Sequence, residues 1–439
     1  MSRGILLGLS ALLLAAAVSA KDPAPVQHTR TCGGESCEAV FRGFFAFFDR
    51  SLHGLEGNGR ACADCHMPLD QFQLSPAGAE ARFQLLQARR KWNPRADDPL
   101  FRPVDADDFR TQGHKARDFR NLRENGLVRV SFTLPANFRL IDPATNLTSA
   151  DTMVDVWRMV PTVNDVKLTG PDGLNLWARA PNAGGGYQVD GRFADLQEQA
   201  LGALLDHAQI QSPPPQRMLD DLAAFQRTLF TNNRVRALSD AVSAGVSPLP
   251  DPDPKLSGLE QAGKLVFTRS CGHCHGGPGQ STTQAPVVRF HDIATQCPRP
   301  VDTVSPARFN FKPCPARLAR NARTYEITLA NGTTMRRVSS DPGRALLTGV
   351  VGGPAPLDDW NKLDVNGLRG IRHTAPYFHN NSADSLEEVV DHYIEFFKRV
   401  RANAAPGTVP PVASTDGINF DRQTKPEEIE ALLAYLRKL

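Results

Sequence analysis

Net charge is nearly absent from this chain of 439 residues. Fifty Lys and Arg stand against 47 Asp and Glu, which leaves +3, so nothing in the charge balance calls for nucleic acid as a partner. Long apolar runs are missing too. Beyond residue 18 no segment approaches the roughly 20 apolar residues that a membrane span takes, so no stable membrane span is expected. Tyr (5) and Trp (4) are few beside 23 Phe, so each can be weighed singly. Methionine is also scarce: there are six, and none follows Met335, so no methionine can serve a site built from the residues beyond it. Eight cysteines are too few for a disulfide-built scaffold of this length, which is ample for two hydrophobic cores.

What is present begins with a processing signal. MSRGILLGLSALLLAAAVSA carries an early Arg3, an apolar run from Ile5 to Val18 and a small-residue site at Ser19-Ala20. The run is short for an anchor and reads as a secretory leader, residues 1–20, cleaved before Lys21. The expected location is the periplasm. Four of the cysteines, Cys32, Cys37, Cys297 and Cys314, form two sequence-local pairs that read as disulfides in an oxidising compartment, although spacing does not prove the pairing.

The other four lie in CADCH (62–66) and CGHCH (271–275). A dithiol redox centre would want a compact βαβ context, and a zinc site would want further cysteines at ligand spacing; neither is evident. A histidine directly after the second cysteine is the attachment pattern for c-type haem, with the thiols bonded to the vinyl groups and the imidazole held under the iron. The expected cofactors are two covalently bound haem c, at Cys62, Cys65, His66 and at Cys271, Cys274, His275. Each motif follows a segment with helical spacing. One spans 39–52, with Val40, Phe44, Phe47 and Phe48 near one face; the other spans 256–270, with Leu259, Ala262 and Val266.

The motifs start 209 residues apart (271 − 62), and other segments repeat with them. DDLAAFQRTL (220–229) matches EALLAYLRKL (430–439), whose helix opens with a capping box at Thr424 and Glu427 and carries the stripe Ile429, Leu432, Leu433, Leu436. VPTVNDVKLTGP (160–171) echoes VNGLRGIRHTAP (365–376), and DLQEQA (195–200) echoes SLEEVV (385–390). The order is the same in both halves. The expected fold is mainly α, with two cytochrome c-like haem domains related by internal duplication: 21–245, a Pro- and Gly-rich linker at 246–258, and 259–439.

With both motifs, DGRFADLQEQALG (190–202) and TAPYFHNNSADSLEEVVDHY (374–393) in view, the chain resembles the bacterial dihaem cytochrome c peroxidases and MauG over nearly all of its mature length. The resemblance implies a peroxidatic N-terminal haem and an electron-transferring C-terminal haem. It places the sixth ligand of the second haem seven residues after Leu386, at Tyr393, where MauG has Tyr and classical peroxidases have Met; His392 is the neighbouring rival. In the first repeat the equivalent position is Ala203, which cannot bind iron. No histidine follows His66 until His114, so the first site is expected to be open. By resemblance Glu198 is the acid–base residue and Gln188 its companion. Thr374 and Pro376 match calcium ligands, although Met159 stands where the family has Asn. Trp157 is the nearest candidate for an electron relay, and His379 matches a histidine near the second haem. The implied function is reduction of hydrogen peroxide with electrons from a small periplasmic cytochrome or copper protein. A MauG-like alternative oxidises Trp or Tyr of a partner protein, and a different class, a non-catalytic dihaem electron carrier, follows if the first haem is closed. The stretch from Met67 to Asp151 is longer than the resemblance leads one to expect.

Overall fold

The computed structural model describes residues 31–106, 118–170, 186–253, 255–272, 274–280, 290–306, 308–353, 358–403 and 425–439. The leader, His114 and Thr424 lie outside them. The fold is mainly helical. Its principal helices are α1 (Cys37–Phe48), α2 (Pro76–Trp92), α3 (Leu196–Asp206), α4 (Gln216–Arg227), α5 (Asn233–Ser243), α6 (Gly258–Ser270), α7 (Leu386–Asn403) and α8 (Pro426–Leu436). No helix among the described residues is long and apolar enough to cross a membrane.

Two helix crossings frame the two CxxCH loops. α1 meets α4 at Gly43, where a Cβ would stand 1.9 Å from the Asp221 carbonyl oxygen. α6 meets α8 at Gly263, where a Cβ would stand 1.9 Å from the Ala431 carbonyl oxygen. Only a residue without a side chain permits backbones to approach this closely. The same contact recurs elsewhere. Asp165 N–H donates to Leu229 O, and Gly370 N–H donates to Leu439 O, both at 2.9 Å. Leu222 and Phe225 of α4 are buried, as are Leu432 and Tyr435 of α8.

The glycine contacts correct the faces read from apolar spacing. α1 turns Gly43 and Phe47 inward, while Phe44 and Phe48 are exposed. α6 buries Gly263, Val266, Phe267 and Ser270, leaving Leu259 and Ala262 exposed. In both, the inward stripe centres on a glycine that a hydrophobicity pattern passes over. The start of α8 also differs. Lys425 is its N-cap residue and its N–H donates to the Glu428 carboxylate at 3.1 Å, so Glu427 is not the reciprocal partner. The expected disulfides Cys32–Cys37 and Cys297–Cys314 are both formed.

Strands in the long stretch after the first motif were not anticipated. β1 (Leu127–Thr133) pairs antiparallel with β3 (Met153–Met159), with Leu127 opposite Met159. β2 (Phe138–Leu140) joins β4 (Arg323–Thr328) and β5 (Thr334–Ser339) in one sheet, in the order β2-β4-β5. A strand from the first half thereby becomes the edge of a sheet from the second. Phe138, Tyr325, Ile327 and Trp360 fill a core beneath it.

Replacing Gly43 or Gly263 by Ala is expected to cost ~1–3 kcal/mol each through overpacking. Gly258→Ala, with nothing within 4 Å of the added methyl, serves as the neutral control. Urea unfolding of the three variants measures this.

Candidate functional site

The first CxxCH is a short 3₁₀ turn, Cys62–Asp64, closed by the His66 N–H on Cys62 O at 2.9 Å. Asp64, inside the motif, is 2% exposed and anchors it. It accepts from Arg50 (2.6 Å), from Arg82 of α2 (3.0 Å) and from Ala61 N (3.0 Å). Burial pushes its carboxyl up, but Arg50, the Ala61 N–H and Arg82 together hold it below the usual carboxylate range. The second CxxCH leaves the C-terminus of α6 directly, with Cys271 N–H on Phe267 O and His275 N–H on Cys271 O, both at 2.8 Å.

The four motif thiols are unpaired, although the chain's other four cysteines are bonded. Burial pushes Cys62, Cys65 and Cys271 up to about 12 and Cys274 up to about 11. A dithiol exchange centre needs the opposite, a stabilised thiolate. Both histidines are half-buried, and desolvation lowers the pKa of each and favours the neutral form that a metal ligand requires. His66 Nδ1 lies 3.0 Å from Phe72 O, and His275 Nδ1 lies 3.2 Å from Gln280 O. With Nδ1–H donated to a carbonyl, the lone pair sits on Nε2. This is how a protein orients an imidazole toward a metal.

Both histidines line one cavity of ≈ 370 Å³. Gln188 and Gln199 line it, as do Cys271, Cys274 and Tyr393. Met159 and His379 complete the wall with Thr374 and Pro376. Gln188 has a left-handed backbone (φ 70°), a conformation that costs a residue with a side chain energy and is held here by the Tyr187–Phe193 bridge around it. Tyr393 packs against Phe378, Phe396 and Phe397, and burial beside Cys274 and Cys271 raises the pKa of its hydroxyl. Only a bound cationic centre would bring it to phenolate. Its rival His392 is committed elsewhere, with Nε2 2.7 Å from Ile293 O.

Two expected site residues are not on this wall. Glu198 is exposed in the first turn of α3, where its carboxylate accepts the Ala194 N–H at 2.9 Å and its own N–H donates to Asp195. Glu388 does the same at the start of α7, accepting from Asp384 N–H at 2.7 Å, so the position reads as a helix cap in both halves. Trp157 is buried against Leu127, Leu318 and the Cys297–Cys314 disulfide; two residues on, on the same face of β3, Met159 reaches the cavity instead. At the expected calcium position Met159 offers a thioether where a hard cation needs oxygen, while Thr374 and Pro376 both line the cavity.

Sequence reading missed the residues that hold the wall in place. Arg158, on β3 beside Met159, is ion-paired with Asp190 and lies 2.7 Å from Asp341; all three side chains are at most 4% exposed. Burial raises the Asp341 pKa, but Arg158 outweighs it and holds the group ionised well into acid. His379 lies with Nε2 3.9 Å from Asp341 and Nδ1 3.2 Å from Thr295 Oγ1, and burial pushes it down to about 4. His291 Nε2 stands 3.9 Å from Cys274 Sγ. Of these, Asp190 and His379 were within quoted motifs, and only His379 had been given a role.

No family model and no curated protein matches the chain. Among solved structures, a MauG-like protein associated with microbial copper homeostasis aligns at TM-score 0.44 and 18% identity, over 92% of this chain and 88% of that one. The diheme peroxidase BthA from Burkholderia thailandensis E264 aligns at 0.40 and 17%, over 92% and 86%. Kuenenia stuttgartiensis hydrazine synthase aligns at 0.38 and 15%, over 99% and 100%. The first two are neighbours of the kind that the motifs led one to expect, but at TM-scores below 0.5 the likeness carries no argument about activity. That argument rests on the residues.

Asp341→Asn, which leaves Arg158 partly uncompensated, is expected to cost ~3–5 kcal/mol at neutral pH. The Asp341 contribution is complete above the ordinary carboxylate value of about 4 and lost as pH falls through its lower folded value. The stability gap between wild type and variant should therefore be flat from pH 6 to 8 and close below about pH 4, as followed by urea midpoints.

Proposed function

We propose that this protein is an exported, periplasmic dihaem c-type oxidoreductase that reduces hydrogen peroxide with electrons from a redox partner protein. The observation that carries the reading is the pair of CxxCH histidines, each with Nδ1 on a carbonyl and each lining the same cavity, with four free thiols at the attachment positions. The recurring helix crossings and hydrogen bonds support two cytochrome c-like halves arising by duplication, with the divide in the stretch before α6.

Haem at the two motifs supplies electron transfer and a site for peroxide when bound. His66 and His275 would hold it through Nε2, the nitrogen left free by the Nδ1 contacts to Phe72 O and Gln280 O. Tyr393 is positioned to close the second site, and Ala203, at the equivalent place in the first, cannot. The balanced reaction takes two electrons and two protons and turns one peroxide into two waters. Gln188 and Gln199 offer carboxamide donors and acceptors at the cavity wall to orient the peroxide. His379 can take or pass a proton at Nε2, which has no hydrogen-bond partner among the described residues, and Asp341 offsets the charge that results. Glu198, at its exposed cap, is not placed to touch the reacting atoms, so the proposal moves acid–base work to His379.

Met159 on the cavity wall favours one other reading. Its thioether would close the first site, leaving a dihaem electron carrier without peroxide chemistry. Oxidation of a Trp or Tyr on a protein partner needs the same open first site.

Low-temperature EPR of the ferric protein, before and after one equivalent of hydrogen peroxide, separates them. One high-spin and one low-spin signal, both lost with peroxide, is the expected result, and Tyr393→Phe should turn the low-spin signal high-spin. Two low-spin signals indifferent to peroxide would overturn the peroxidase reading in favour of the carrier. Alkaline pyridine spectra should count two haems per chain, and one in Cys62→Ala/Cys65→Ala.

A further inference from the structure

α2 is apolar on two opposite sides. Inward, Ala79 and Leu86 are buried in the core that also holds Cys65 of the first CxxCH. Outward, Ala77, Ala81, Leu85, Ala88 and Trp92 recur at helical spacing and are all exposed, Leu85 by 58% and Trp92 by 92%. A helix that is apolar on both sides is normally covered on both. Here one side is bare.

Cations frame the bare side at its C-terminal end. Residues 84–96 contain Arg89, Arg90, Lys91 and Arg95 and no acid. All four are exposed, and none forms an ion pair among the described residues. The acids nearby are taken up within the fold: Glu80 by Arg123, Asp97 by Arg102, Asp98 by Arg82. An aromatic anchor in an apolar strip with a rim of one charge sign is the composition of a protein-docking surface, and Trp and Arg are its strongest contributors.

The position of α2 says what kind of partner would profit. Arg82, on its inner side, donates to the Asp64 carbonyl at 2.7 Å and to the Asp64 carboxylate at 3.0 Å, inside the first CxxCH. The outer strip is thus one helix diameter, ~10–12 Å, from the first haem-attachment loop. A molecule resting on Leu85 and Trp92 is brought within electron-transfer reach of that site, so its electrons would enter at the first CxxCH loop directly and not through the electron-transferring second haem that the resemblance implies.

We propose that the outward side of α2 is the docking surface for an electron-carrier protein whose contact face is apolar with an acidic rim. The proposal rests on the dihaem reading above and names the partner that reading leaves open. Two reduced carriers dock in turn and each gives up one electron; the peroxide takes both, with two protons from solvent, and becomes two waters. The apolar strip sets the contact, and the cations set encounter rate and salt dependence.

The test uses the mature holoprotein with two probes, an acidic single-haem cytochrome c and a basic mitochondrial-type cytochrome c, each reduced. Peroxide-driven oxidation is followed by stopped flow against ionic strength, with a small dye reductant in parallel. The acidic carrier should react faster than the basic one and slow as salt rises. The triple variant R89E/R90E/K91E should slow it ~10-fold or more at low salt, in line with the span between steered and neutral association. Trp92→Ala should weaken carrier binding in sedimentation velocity at every salt concentration. Neither variant should change dye turnover or the haem spectrum. Unaltered carrier kinetics and binding in both variants would overturn the docking surface while leaving the peroxidase reading intact. Loss of dye turnover in the wild type would instead overturn the peroxidase reading, and sedimentation would still decide docking. If wild type co-sediments with phosphatidylglycerol vesicles, the variants do not, and carrier kinetics are unchanged, the surface belongs to a membrane and the proposal fails.

Discussion

A single guanidinium holds the centre of this protein together. Arg158 lies buried between Asp190 and Asp341, and the three segments that bring these residues together have little else in common. Arg158 is on β3, Asp190 is in the turn after Gln188, and Asp341 follows β5 in the second half of the chain. A buried charge without its partner is among the most costly defects a fold can carry, so the three segments cannot move apart independently. The residue after Arg158 is Met159, and the residue two before Asp190 is Gln188; both line the cavity. Asp341 also faces His379, which lines it too. The wall of the functional site is therefore set by an ion triad one layer behind it.

The crossed sheet does the same at longer range. β2 belongs to the first half and adds to β4 and β5 of the second, over a core of Phe138, Tyr325 and Trp360. Met159 N–H donates to His379 O at 2.7 Å, and Asn121 and Asn321 pair their side-chain amides across the halves. These contacts fix the separation of the two CxxCH loops. The long stretch after the first motif, which carries β1, β2 and α2, is what makes the joint.

The chemistry-bearing residues were legible because they are local. CxxCH is five consecutive residues, and its meaning does not depend on where the chain goes next. The disulfide pairs were legible for the same reason: 5 and 17 residues separate them. Tyr393 lines the same cavity as Cys271, Cys274 and His275 because α7 carries it there on a regular helix. Glu198 shows the limit. Two residues beyond Leu196, it sits in the first turn of α3, where a carboxylate caps free N–H groups; whether it also faces a cavity is a matter of how the helix is rotated, which one segment does not reveal. Trp157 packs in the core with Leu127, Cys297 and Leu318, while Met159 two residues on lines the cavity, a difference that depends on what each end of β3 meets.

By itself, the sequence determined which cysteines bond and which helices precede each CxxCH motif. These follow from short-range covalent and hydrogen-bonding chemistry. Tertiary structure alone decided which helix faces turn inward, because a glycine whose added Cβ would stand 1.9 Å from a carbonyl oxygen leaves no hydrophobic signature. It also decided which polar residues meet at the cavity, because the ion triad joins positions 158, 190 and 341, and an attraction between distant charges appears only once the chain has folded.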